Sequence, residues 1–169
     1  MNSFDGASQN LLIMGVGNLL MGDEGVGIHA VQRLGRFELP ERVEVLDGGT
    51  GGFHLLSFLQ SYPVIIMVDA TMDEKAPGTV SVIQPKFASD YPKALSAHDI
   101  GLKDLIESAA LLGELPKVHL ITVTIDKIQQ AQVELSPEIE NAVPIVLEKI
   151  LELVKAILVE KELKEFNPN

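Results

Sequence analysis

LLIMGVGNLLMGDEGVG, residues 11–27, joins an apolar strand, a glycine turn and two adjacent acids in one short run. Leu11 to Val16 carries no charge and, apart from Gly15, is entirely apolar, as in a strand buried on both faces of a parallel sheet. Gly15 and Gly17 give the backbone freedom to turn sharply after it. Asp23 and Glu24 then precede Gly25 to Phe37, where Val26, Ala30, Val31 and Leu34 recur at helical spacing. Strand, turn and helix in that order put both acids at the carboxyl end of a strand, where open α/β sheets bind ligands.

The same alternation continues outward. Val43 to Leu46 reads as a second strand that delivers Asp47, followed at once by the glycine-dense GGTGG and a helix from about Phe53 to Leu59. After Tyr62-Pro63, Val64 to Val68 is the clearest buried strand and ends in Asp69. Ala76-Pro77-Gly78 is a turn, so the short connection makes Thr79 to Ile83 an antiparallel or edge strand. Residues 85–97 are irregular and lead to Ser96-Ala97-His98-Asp99, ahead of a helix over Gly101 to Leu112. Val118 to Ile125 is a strand, and Gln129 to Ser136 is irregular again. Pro137 suits the first turn of a long last helix reaching about Lys164, which Pro144 would kink or shorten. The expected architecture is a three-layer α/β sandwich, with a twisted, mostly parallel five-stranded sheet and helices on both faces. One domain, residues 11–164, is expected between flexible tails at 1–10 and 165–169.

A chain of 169 residues with 46% hydrophobic content can build one core of ordinary size. It has no cysteine, which removes disulfides, thiolate ligands and a cysteine nucleophile together and is compatible with a reducing cytoplasm. MNSFDGASQN lacks the basic and apolar regions of a signal peptide. Uncharged runs such as Val64 to Val68 fall far below the roughly 20 residues needed to cross a bilayer, so a soluble protein is expected. A net charge of -11 opposes binding to nucleic acid or an anionic membrane and favours a cationic, metallic or protein partner.

Glu24, Asp69 and His98 together supply two carboxylates and one imidazole, a set able to hold a borderline divalent ion such as zinc, nickel or manganese. Three protein ligands leave positions open for a substrate. Each residue also has a plainer reading: Asp23 and Glu24 as helix caps, Asp69 as a hydrogen-bond acceptor at a strand end, His98 as the neighbour of a helix cap. His29 and His54 lie in helical patterns and His119 opens a strand, which suits packing or surface roles. A dinucleotide fingerprint starts with Gly15-Val16-Gly17 and has an acid in Asp47, but Leu20 stands where its third glycine belongs. Asp23 and Glu24 would also repel a pyrophosphate at that helix start. No G-x-S-x-G elbow and no P-loop is present.

Four linked motifs, GVGNLLMGDEGVG, VEVLDGGTGG, VDA and SAHDIGL, resemble in order the maturation endopeptidases of nickel-iron hydrogenases, over about residues 11–155. The resemblance implies an α/β protease that removes a carboxyl-terminal extension from a hydrogenase large-subunit precursor after nickel insertion. It places the family's metal-contacting acid on Glu24, its second acid on Asp69, its histidine on His98 and the acid of its DGGT motif on Asp47. It further implies that nickel arrives with the precursor and that no permanent zinc is bound, so all four residues are candidates for the catalytic centre and Glu24, Asp69 and His98 for metal contact. Cysteine-free ligands with no H-E-x-x-H helix suit modest binding of free metal. The alternatives from other classes are a non-catalytic metal-binding chaperone and a nucleotide-binding regulatory module.

Overall fold

The computed structural model describes residues 10–93 and 101–166. Five strands form one sheet: β1 (Leu11–Gly15), β2 (Val43–Asp47), β3 (Val64–Thr71), β4 (Val80–Ile83) and β5 (Lys117–Thr124), in the order β2-β1-β3-β5-β4. The three pairings among β2, β1, β3 and β5 are parallel, and β4 runs antiparallel along the edge beside β5. Helices α1 (Val26–Leu34), α2 (Leu56–Ser61), α3 (Leu102–Leu112) and α4 (Pro137–Phe166) cover both faces.

Two apolar layers follow from the strand alternation. Leu11 and Ile13 of β1 with Ile66, Val68 and Ala70 of β3 pack under α1 and α4, against Val31, Val143 and Ile150 among others. Leu12 and Met14 with Ile65 and Met67 face the other way, against Leu59 of α2 and Leu105 and Ile106 of α3. β1 is buried along its whole length, which its uninterrupted apolar sequence required.

The structure departs from the sequence reading at three places that bear on the site. β3 does not stop at Asp69 but runs on to Thr71, because β5 keeps offering backbone partners: Asp69 pairs with Thr122 and Thr71 with Thr124. α1 begins at Val26, and Asp23 and Glu24 lie inside a 3-10 turn, Gly22–Gly25, that precedes it. α4 runs through Pro144 without interruption and reaches Phe166. Residues 1–9 and 167–169, most of the expected tails, lie outside the described residues.

Gly15 meets a different need from the turning freedom expected of it. A Cβ there would run into the carbonyl of Gly27 and the side chain of Val31, and one on Gly27 would strike the carbonyls of Val16 and Val68. The two glycines let the start of α1 lie flush on the ends of β1 and β3. Gly17, at φ 147°, does turn the chain through a conformation closed to other residues, and its amide donates to the Gly49 carbonyl at 2.9 Å.

Candidate functional site

Strand order fixes where a ligand can enter. The chain leaves β1, crosses through α1 on one face to β2, then returns through α2 on the opposite face, past β1, to β3. Right-handed crossovers demand that change of face when the direction of winding reverses. The connections above β1 and β3 therefore part, and the crevice between them is the switch point at which doubly wound sheets bind ligands.

Glu24 and Asp69 come from the two sides of that crevice. Glu24 sits on the 3-10 turn beyond β1 and is only 6% exposed, and the turn packs against β3. Asp69 continues the Ile65 and Met67 alternation, so it projects on the face covered by α2 and α3, where it keeps partial access to solvent. Removal from water pushes its carboxyl up to about 8; the Ala70 amide, donating to Oδ1 at 2.8 Å, opposes this, and the negative charge of Glu24 adds to it. Near neutral pH the Asp69 carboxyl in the free protein thus holds a proton. Beside it on β5, the buried Thr122 is its registered partner and a polar neighbour.

The other sequence candidates fall elsewhere. Asp47 alternates with Val43, which packs under α1 and α4, so it projects on the face opposite Asp69. Its Oδ1 accepts from the Gly49 amide at 3.0 Å, and Gln32 of α1 approaches Oδ2 at 3.5 Å. The sheet does not bring Asp47 to the Glu24 and Asp69 pair; it anchors the glycine loop that hydrogen-bonds back to the β1 turn. His98 lies outside the described residues, and among those residues no group of three or more acids and histidines is placed to hold a metal ion. His29 reaches the Val133 carbonyl at 2.9 Å, and buried His119 reaches Gln84 at 3.3 Å, in keeping with structural roles.

Asp23 has a role that its position before a helix did not announce. It is 1% exposed and caps neither its own turn nor α1. Its Oδ1 accepts from the Ser136 amide at 2.7 Å and its Oδ2 from the Gln129 side chain at 2.6 Å, while its own amide donates to Gln129 Oε1 at 2.9 Å. A partner more than a hundred residues away leaves no local signal; the polar pair Gln129 and Gln130 in the loop after β5 was the nearest hint.

Comparison with known proteins adds an independent line. The model of the family described as HycI, hydrogenase maturation protease, matches residues 28–153. The hydrogenase 2 maturation protease of Escherichia coli (strain K12) is 33% identical over 144 residues, which is 83% of this chain and 88% of that one. Among solved structures, the hydrogenase maturating endopeptidase HybD from E. coli superposes with a TM-score of 0.78 at 31% identity, over 87% of this chain and 93% of its own. The hydrogenase 2 maturation peptidase from a Thaumarchaeota archaeon gives 0.67 at 32% identity, over 86% and 98%.

Proposed function

The chain belongs to the hydrogenase maturation protease family, peptide-bond hydrolases that trim the carboxyl terminus of the hydrogenase large subunit, and from that premise we propose that the Glu24 and Asp69 crevice receives a nickel ion carried by the precursor. The chaperone and nucleotide-module readings give way to this activity. One observation supports the crevice above others: two carboxyl groups meet where the sheet opens, and one of them keeps its proton to about pH 8 because burial and the neighbouring charge make a second anion there costly. A divalent cation reverses that cost. Its charge favours the ionised form of Asp69, so engagement of the nickel and loss of the Asp69 proton are coupled.

In this reading Glu24 and Asp69 contribute two oxygens and His98 an imidazole, and the ion's remaining positions stay with the substrate. The ion held by the substrate brings the adjacent peptide bond to the crevice and polarises its carbonyl or the attacking water. Asp47 acts at one remove, by fixing the glycine loop against the β1 turn. The setting proposed is the cytoplasm, in keeping with the cysteine-free composition; no helix among the described residues is long and apolar enough to cross a membrane.

The test mixes the purified protein with hydrogenase large-subunit precursors, nickel-loaded and nickel-free, and follows mass loss at the precursor's carboxyl terminus. Cleavage of the loaded form alone, abolished by His98→Ala and by Glu24→Gln, is the expected result. Efficient cleavage of the nickel-free precursor would falsify the nickel role, and retained cleavage by either variant removes that residue from the site.

A further inference from the structure

We infer that Asp23 and Gln129 are positioning residues for Glu24, a latch that fixes the turn carrying it to the loop after β5. The inference rests on the reading of Glu24 as a contact to the substrate-borne ion. Glu24 sits on a 3-10 turn of four residues, Gly22–Gly25, too short to hold its own geometry. What holds it is the 129–136 segment. Gly22 donates its amide to the Gln132 carbonyl at 2.7 Å, and Gln132 donates back to Leu20 at 3.2 Å. Asp23 and Gln129 then close a ring of two bonds, Asp23 N–H to Oε1 at 2.9 Å and Nε2 to Oδ2 at 2.6 Å, while the Ser136 amide takes the other carboxylate oxygen at 2.7 Å.

Capping a helix or complementing its dipole would not need this arrangement. An aspartate can cap from an exposed position with one oxygen, whereas Asp23 is buried to 1% exposure with both oxygens engaged by one loop. Such a carboxylate, removed from water and fully hydrogen-bonded to groups that are themselves anchored, admits few other positions for the residue that follows it. The latch also links the two sides of the site, since the loop it grips leaves the carboxyl end of β5, whose Thr122 pairs with Asp69. Small displacements of Glu24 would misplace the ion relative to the scissile bond, and a shift of about 1 Å can cost on the order of a hundredfold in rate.

The ring can be inverted chemically. Asp23→Asn alone sets two amide donors face to face, and Gln129→Glu alone sets two carboxylates together. In the Asp23→Asn, Gln129→Glu double variant the new amide donates to the new carboxylate, which still accepts the backbone N–H of residue 23, and Ser136 keeps its acceptor. Cleavage of the nickel-loaded precursor is measured for each variant at a temperature where circular dichroism shows it fully folded. Each single variant should lose at least about tenfold in kcat with KM changed less than about threefold, and the double variant should recover to within about threefold of the parent. Gln129→Ala removes both bonds at a partly exposed position and decides the matter if Asp23→Asn does not fold. Wild-type kcat in a folded single variant, or a double variant no faster than the singles, overturns the latch. Glu24→Gln is run beside them: if it cleaves normally the reading of Glu24 is what fails, whereas an inactive Glu24→Gln with fully active latch variants sinks the latch alone.

Discussion

An aspartate free in the unfolded chain loses its proton near pH 4, whereas Asp69 in the folded protein keeps it up to about 8. Between those values only the folded state binds the proton, so the stability tied to this group is fully present below the lower value and is lost as pH rises through the upper one. Asp69→Asn puts a neutral group of the same shape in its place and escapes that loss. Its melting temperature should therefore gain on the wild type as pH rises from about 5 to about 9, and the gap should stop growing once Asp69 is ionised in both states. Thermal melts of both proteins across that range check this; a gap independent of pH would mean that Asp69 ionises like a surface aspartate. The same proton explains why the free protein tolerates Glu24 and Asp69 side by side. Glu24 is buried and Asp69 half-buried, and that degree of cover is a tertiary property without a local sequence mark.

The elements were legible where one signal dominated. Apolar runs marked β1 and β3, helical spacing marked α1 and α4, and the Ala76-Pro77-Gly78 turn marked β4 as the antiparallel edge. Signals failed where a distant partner decided the outcome: β5 extends β3 through Asp69 to Thr71, and Gln129 converts Asp23 from a supposed cap into a buried tether. Pro144 does not shorten α4. Its ring removes a hydrogen bond from α4, yet buried Val143 and Val146 on either side hold the helix to the sheet and outweigh the loss. The seat of α1 gives the sharpest test at this scale. Gly15→Ala would drive a methyl into the Gly27 carbonyl and Val31, and backbone cannot rotate aside as a side chain can. Denaturant unfolding should show a loss at or above the upper end of the roughly 1 to 3 kcal/mol typical of overpacking. Gly35→Ala, where a Cβ would find only an ordinary contact, is the control and should stay within about 0.5 kcal/mol.

For the molecule as a whole, the sheet separates two jobs: the layer under α2 and α3 carries Asp69, and the layer under α1 and α4 supplies most of the remaining core. α4 is the longest element, but its contribution is uneven along its length. Ile150, Val154 and Ile157 are buried, whereas Val159 and Leu163 are 48% and 67% exposed. Near its end Glu160 pairs with Lys117 at 3.6 Å between half-exposed side chains, an interaction in the class that contributes about 0 to 1 kcal/mol. Ending the chain after Glu160 should therefore leave the melting temperature within a few degrees of the full-length protein and precursor cleavage intact. Ending it after Lys149 removes the three buried side chains, each contributing roughly 1.5 to 3 kcal/mol, against a total stability of about 5 to 15 kcal/mol for a domain. That truncation should abolish the cooperative unfolding transition seen by calorimetry and, with it, cleavage. A folded but inactive product would instead tie the far half of α4 to the substrate rather than to the core. A folded, active one would show that α1 and the first half of α4 suffice to close that face of the sheet, contrary to the burial of Ile150, Val154 and Ile157.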